Sequence, residues 1–172
     1  MKTVALLVRL KIPDVTALTA ANALRRSMGY QQLQELRRAD YYRLDLNVDS
    51  QDEALALARE LAEKTNLFVN PNKHVYEVQT GHEDATPEQG QIAHVLVTDP
   101  HDGSAEGMLS ALQGRLGYAD RVAGLTKGLL WTMRLDVADA AEARRLAAEM
   151  AETTSLEKGL LVNPHFQEFE VW

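Results

Sequence analysis

Cysteine, long hydrophobic runs and an excess of positive charge are all missing from this sequence of 172 residues. Without cysteine, the chain has no disulfide scaffold, no thiol nucleophile and no cysteine-ligated zinc or iron–sulfur site. The apolar run from Val4 to Val8 is far too short for a membrane span or for the core of a signal peptide. These absences predict a cytoplasmic protein without a membrane partner.

Acidic residues outnumber basic ones, with 25 Asp and Glu against 18 Lys and Arg, which gives a net charge of −7. A negative surface repels phosphate backbones, so the charge balance predicts no nucleic-acid partner. The apolar fraction of 45% and the charged fraction of 25% are close to the averages of soluble globular domains, which excludes a disordered chain.

Sequence motifs for catalysis are missing as well. The chain carries no G-x-x-x-x-G-K-[ST], G-x-G-x-x-G, G-x-S-x-G or H-E-x-x-H pattern. None of its five histidines is paired with another at the i, i+4 spacing of a helical metal site. We predict no catalytic residue, no metal site and no bound cofactor.

What the sequence does contain is an internal repeat. Gly29-Tyr30 recurs as Gly117-Tyr118, and Val69-Asn70-Pro71 recurs as Val162-Asn163-Pro164, in the same order. Two helices of similar composition would not reproduce these anchors, so the pattern predicts a duplication.

The two copies span residues 1–79 and 91–172, and each is predicted to form a subdomain. Residues 80–90 between them are polar, contain Gly81 and Pro87 and show no periodicity. Such a segment is typical of an exposed linker.

Each copy is predicted to fold as strand, helix, two strands, helix and strand. In the first copy, Asp14 can cap the first helix, Gly29 can end it, and Ser50 with Glu53 can form a capping box for the second. The strands of that copy are predicted at Thr3–Leu10, Leu33–Arg38, Tyr41–Val48 and Lys73–Gln79. Alternating apolar and polar residues favour antiparallel sheets with helices on one face. The fold class is therefore α+β, with two tandem ferredoxin-like (β-α-β-β-α-β) subdomains.

Two aromatic residues on the predicted strands, Tyr42 and Trp131, share the buried face. In ferredoxin-like RNA-binding domains, aromatics on the sheet stack on bases. Here the predicted burial and the acidic charge favour core packing instead.

Three short segments are candidates for contact with a partner. Asn70-Pro71 and Asn163-Pro164 precede the last strand of each copy, where asparagine and proline also fix a turn. Arg37-Arg38 precedes a predicted tight turn, and the aligned residues of the second copy are Leu125-Thr126. Because the basic pair is not repeated there, a solvated face is the simpler interpretation of it.

Several runs of this sequence resemble the PurS family. The first copy carries VRLKIPDVTALTAANALRRSMGY, YYRLDLNVDSQDEALALARELAEKTNLFVNP and HVYEVQ, and the second carries LSALQGRLGY, MRLDVADAAEARRLAAEMAETT and LVNPHFQEFEVW. The similarity covers nearly the whole chain twice, and its specificity lies in the order and spacing of short motifs. It departs from the family at the hairpin motif Arg-x-Gly-Lys, which is Arg37-Arg38-Ala39-Asp40 in the first copy and Thr126-Lys127-Gly128-Leu129 in the second.

The resemblance implies a scaffold role. PurS is the small subunit of phosphoribosylformylglycinamidine synthase, where it bridges the synthetase PurL and the glutaminase PurQ and assists ammonia transfer in purine biosynthesis. A chain of twice the family's length looks like a fused PurS dimer, similar in plan to the N-terminal region of the single-chain synthase, and its homodimer would equal a PurS tetramer. Arg37, Arg38 and Lys127 would be the contact residues of the hairpin. The alternative is a tandem ACT-like regulatory module that binds a small effector between the two copies.

Overall fold

The structure is a computed structural model and describes residues 1–81 and 89–172. Its strands are β1 (Lys2–Leu10), β2 (Leu33–Leu46), β3 (His74–Gln79), β4 (Gln91–Thr98), β5 (Val122–Leu135) and β6 (Glu168–Val171). Its helices are α1 (Val15–Asn22), which continues as a π-helical turn (Ala23–Ser27), then α2 (Gln51–Lys64), α3 (Ser104–Gln113) and α4 (Ala140–Ala151). Most of the predicted linker, residues 82–88, lies outside the described residues. Along the described part of the chain, no helix has the length and apolar character that crossing a membrane requires.

The helix boundaries follow the predicted caps. Asp14 accepts hydrogen bonds from the backbone N–H groups of Thr16 and Ala17, so it caps α1 as expected. Ser50 and Glu53 form the predicted capping box at the start of α2. Gly29 has a φ of +80°, the left-handed conformation in which glycine ends a helix without steric cost.

The strands are hydrogen-bonded in the order β3-β1-β2-β5-β4-β6. β1 pairs antiparallel with β2 and β3, and β4 pairs antiparallel with β5 and β6. The fold is therefore α+β with antiparallel strands, as predicted.

The predicted pair of strands in the middle of each copy is wrong. β2 is one continuous strand of 14 residues, and so is β5. Arg38-Ala39-Asp40-Tyr41 contains none of the Gly, Pro or Asn residues that break a strand, and Ala39 is buried. Arg37 and Arg38 consequently lie inside β2 rather than beside a turn, and Lys127 lies inside β5.

The described residues form two compact units, and each unit combines segments from both predicted copies. The first unit contains residues 1–12, 39–81 and 102–128, and the second unit contains residues 13–38, 89–101 and 129–172. The division falls inside β2 and β5, close to the predicted gap between Arg38 and Tyr41. β2 and β5 each contribute one part to each unit. Each unit therefore contains four strands and two helices, the set of elements of a ferredoxin-like domain. The boundaries at residues 79 and 91 remain a prediction about the sequence repeat.

The core of the first unit is closed by α2 and by α3, which comes from the second copy. Alternate residues of β1, among them Val4, Leu6 and Val8, point to this core together with Leu61 of α2. Leu112 of α3 joins the same cluster and is fully buried. The first helix of the second copy thus covers strands of the first copy.

The core of the second unit is closed by α4 and by α1, which comes from the first copy. An apolar stripe of α1 is buried, formed by Ala17, Ala20 and Ala21, and Leu24 in the π-helical turn that follows is fully inaccessible. It packs in one cluster with Val95 of β4, Met133 of β5 and Met150 of α4. The two first helices are therefore exchanged between the copies, an arrangement that the sequence analysis did not predict.

The repeated Gly-Tyr motif supports this exchange. The Tyr30 hydroxyl donates a hydrogen bond of 3.0 Å to Glu149 of α4, and the Tyr118 hydroxyl donates one of 2.9 Å to Glu60 of α2. In both cases the tyrosine follows the first helix of one copy, and the carboxylate lies on the second helix of the other copy. The motif therefore marks a contact between copies as well as the end of a helix.

We expect the phenols of Tyr30 and Tyr42 to titrate late. Burial, the hydrogen bond to Glu149 and the charge of Glu149 raise the pKa of Tyr30 to about 12. Burial and the nearby Asp40 raise the pKa of Tyr42 to about 12 as well. Because these pKa values exceed the unfolded value of about 10, the stability that the neutral phenols contribute is complete below pH 10 and is lost as pH rises toward 12.

Phenolate absorbance during an alkaline titration measures this effect. Glu149→Gln removes the charge and keeps an acceptor, so one tyrosine should ionise at lower pH than in the unmodified protein. Glu142→Gln, in the first turn of the same helix, is the matched control and should leave the curve unchanged. Identical curves for all three proteins would contradict the assignment to Glu149.

Candidate functional site

The first candidate position is Arg38, which β2 directs toward the start of α1. Its guanidinium donates to both carboxylate oxygens of Asp14, at 2.8 and 3.2 Å. The guanidinium carbon also lies 5.9 Å from the centre of the Trp131 ring, within the range of a cation–π contact. The pair is partly buried, so Arg38 fixes the N-cap of α1 against the strand instead of forming a solvated face.

Lys127 of β5 is the counterpart of Arg38 in the second copy. Its ammonium group lies 3.5 Å from Asp102 and donates a 3.0 Å hydrogen bond to Ser104 at the start of α3. Hydrogen bonds from the backbone and hydroxyl of Ser104, followed by the charge of Lys127, hold the pKa of Asp102 below its usual value. In both copies a basic side chain on the long strand meets an aspartate at the start of the first helix, the N-cap Asp14 or Asp102 just before the N-cap of α3.

This correspondence corrects the sequence alignment. β2 and β5 have equal lengths, and superposing their ends places Arg38 on Lys127 and Arg37 on Thr126. The second copy has one more residue between Tyr118 and its long strand than the first copy has after Tyr30, so the alignment with Leu125-Thr126 is displaced by one position. The basic position is thus repeated after all.

Arg37 points differently from its neighbour. It forms an ion pair of 2.7 Å with Glu35 on the same strand, and 65% of its side chain is exposed. Among the candidate basic residues, Arg37 is the one whose charge is presented to solvent.

The two Asn-Pro segments form turns of the same design. The Asn70 side chain accepts a 3.0 Å hydrogen bond from the backbone N–H of Asn72. The backbone carbonyl of Asn70 accepts from the backbone N–H groups of Lys73 and His74. The backbone N–H of Asn70 in turn donates to Nδ1 of His74. Such side-chain bonds to the local backbone are what asparagine contributes to a turn.

The second copy repeats these bonds. The Asn163 side chain accepts from the backbone N–H of His165 at 3.1 Å, and the backbone N–H of Asn163 donates to Gln167 at 2.9 Å. Asn163, Pro164, Asn70 and Pro71 are all exposed. The structure therefore accounts for a turn role of both asparagines and leaves their side chains at the surface.

Replacing Asn70 with Ala removes the acceptor for the Asn72 N–H and should cost about 0.5–1.5 kcal/mol of stability. Asn70→Asp keeps an oxygen at that place and is the matched control, with a smaller loss. Urea denaturation of the two variants measures the difference. Equal stability of Asn70→Ala and the unmodified protein would contradict the turn role.

The structure does not join all the candidates into one site. Among the described residues, no hydrogen bond or ion pair links the Asn-Pro turns to Arg37, Arg38 or Lys127. Within the same part of the chain, no group of three or more His, Asp or Glu side chains is arranged to hold a metal ion.

Sequence reasoning missed Glu60 and Glu149, whose bonds to Tyr118 and Tyr30 connect the copies. Both lie on helix surfaces among many other carboxylates, which hides them in the sequence. Glu60 and Glu149 occupy equivalent positions of the repeat, and this correspondence was the signal that could have identified them.

The fold and the candidate positions define a class of protein: an α+β chain of ferredoxin-like units in which repeated polar residues hold helix starts and turns. Residues 3–81, just under half of the chain, match the model of the family described as PurS: Phosphoribosylformylglycinamidine (FGAM) synthase. No protein of curated description matches the sequence. The matched segment covers the first predicted copy, so the similarity found there agrees with the resemblance noted for its motifs.

Proposed function

We propose that the chain is a fused pair of PurS copies and a non-catalytic subunit of the phosphoribosylformylglycinamidine synthase complex. In this role it bridges the synthetase subunit PurL and the glutaminase subunit PurQ in the cytoplasm and assists the transfer of ammonia between them. The observation that carries the proposal is the family match over residues 3–81.

The second copy supports the proposal through equivalent contacts. Beyond the matched segment, β4 to β6 with α3 and α4 repeat the element order of β1 to β3 with α1 and α2. The bonds of Lys127 to Asp102 and of Tyr118 to Glu60 repeat those of Arg38 to Asp14 and of Tyr30 to Glu149. Duplication of one gene segment is the simplest explanation for these repeated contacts. The family match over residues 3–81 favours this proposal over the ACT-like alternative.

The proposal predicts that the chain restores glutamine-dependent synthesis without any activity of its own. Purified PurL and PurQ from the same source are assayed for product formation from formylglycinamide ribonucleotide, ATP and glutamine, with and without this chain. We expect the chain to raise the glutamine-dependent rate severalfold and to co-elute with both subunits in size-exclusion chromatography.

Ammonium chloride in place of glutamine is the control, since it supplies ammonia directly to the synthetase. The chain should change this ammonium-dependent rate little. The chain alone should hydrolyse neither glutamine nor ATP. Turnover by the chain alone, or an unchanged glutamine-dependent rate together with no co-elution, would refute the proposal.

The exposed candidates are proposed as partner contacts within that complex. Arg37 presents its charge to solvent, and Asn70-Pro71 and Asn163-Pro164 lie on exposed turns. Asn70→Asp, which retains the acceptor of the turn, should lower the glutamine-dependent rate if the turn contacts a partner. Two such chains in one complex would correspond to a PurS tetramer, which sedimentation of the complex measures.

A further inference from the structure

A cavity of about 450 Å³ opens in the second unit beside the strand residue Trp131. Its walls include Val15, Thr19 and Ala20 from α1, and Leu160 and Leu161 from the segment that precedes β6. Its volume falls in the range of small-molecule sites, about 300–1,000 Å³. The lining is mainly apolar, so the cavity favours an apolar molecular body.

Within the described part of the chain, the indole N–H of Trp131 lacks a hydrogen-bond acceptor, which a bound molecule could supply. The side chain is only 4% exposed, and its Nε1 is buried without a hydrogen-bond partner among the described residues. Buried indole N–H groups normally find an acceptor, because leaving one unpaired is costly. The Arg38 guanidinium holds the same ring at 5.9 Å from its centre and cannot accept a hydrogen bond.

Two residues that line or flank this cavity have larger equivalents in the first unit. In the repeat, Met108 corresponds to Ala20 and Phe68 corresponds to Leu161, so both residues of the first unit are larger. Phe68 is buried and contacts the ring of Tyr42 edge-on, with 5.0 Å between the ring centres. At these two places the second unit carries the smaller side chain, whereas Val15 and Thr19 of the cavity are larger than their equivalents in the first unit, Gly103 and Gly107.

We propose that this cavity binds a small, mainly apolar molecule that carries a hydrogen-bond acceptor, and that the acceptor pairs with Nε1 of Trp131. The ring of the ligand lies against α1 and Leu161, where Phe68 and Met108 lie in the first unit. Since Nε1 is covered in this structure, pairing requires the indole to rotate toward the cavity that it lines. The site is independent of assembly with a synthetase, so it stands or falls apart from the proposed function.

The test uses the full chain labelled with ¹⁵N and two probes of similar size, acetophenone and ethylbenzene. The chain has two tryptophans and therefore two indole N–H signals in a proton–nitrogen correlation spectrum. Acetophenone should shift the Trp131 signal saturably, and it should bind about tenfold more tightly than ethylbenzene because only its carbonyl oxygen accepts a hydrogen bond. The absence of a saturable shift, or equal affinities for the two probes, would overturn the proposal.

Two variants locate the site. Ala20→Met copies the first unit and should abolish the binding of both probes, whereas Met108→Leu, at the equivalent place in the first unit, should leave binding unchanged. Trp131→Phe should lower the affinity for acetophenone to that for ethylbenzene. Saturation-transfer difference NMR on the signals of the probes measures both affinities. Full binding by Ala20→Met places the probes elsewhere and refutes the site. If a variant fails to fold, the comparison of the two probes on the unmodified chain still decides.

Discussion

Residues 1–81 expressed alone should have no folded monomer. In the full chain, the apolar stripe of α1 is buried against β4, β5 and α4, all of which this fragment lacks. The core around α2 also loses Leu112 of α3 and Val122 of β5. The fragment would therefore expose two apolar surfaces that its remaining elements do not cover, at a size where a single core is already marginal.

The measurement is thermal and urea unfolding of three samples: fragment 1–81, fragment 89–172, and their equimolar mixture. We expect the mixture to melt cooperatively at a temperature that rises with protein concentration, because association now stabilises the fold. The intact chain is the control, with a melting temperature independent of concentration, since the linker holds the copies at an effective concentration in the millimolar range.

Fragment 1–81 has one other route to a fold, which is pairing with itself. Such a homodimer would use α1 of one fragment to cover the strands of the other, and its melting temperature would also depend on concentration. A concentration-independent, cooperative transition of monomeric 1–81 would contradict the exchange of helices. That result would instead support subdomains that follow the copies 1–79 and 91–172.

Local signals in the sequence predicted the elements well. Asp14, Ser50 and Gly29 act within one or two helical turns of their own positions, so their capping roles depend little on the rest of the fold. The buried face of Tyr42 and Trp131 was likewise confirmed, because alternation along a strand determines which side chains share a face.

The partners of the first helices could not be predicted in this way. An apolar stripe such as that of α1 indicates that one face is buried, but it does not identify the sheet that covers it. Both copies offer sheets with similar apolar faces, so the sequence alone is compatible with either pairing. The continuity of β2 decides between them in the structure, since without a turn near Ala39 the chain does not bring α1 back over β1.

Truncating one buried leucine in each core should show which strands each first helix stabilises. Leu24, in the π-helical turn that continues α1, and Leu112 of α3 are equivalent in the repeat, and both are fully buried. Replacing either with Ala should cost about 2–5 kcal/mol, as large-to-small changes in a packed core do. The two losses should add in the double variant, because the residues belong to separate clusters.

Amide hydrogen exchange distinguishes the exchanged arrangement from the sequential one. Leu24 shares its cluster with Val95 of β4, and Leu112 shares its cluster with Leu6 of β1. Leu24→Ala should therefore accelerate exchange in β4 more than in β1, although Leu24 and β1 belong to the same predicted copy, and Leu112→Ala should do the reverse. Leu55→Ala is the control at a half-buried position of α2, with a smaller loss of stability. Faster exchange in β1 than in β4 for Leu24→Ala would contradict the exchange, because a helix that covers its own copy loosens its own strands first when its core contact is removed.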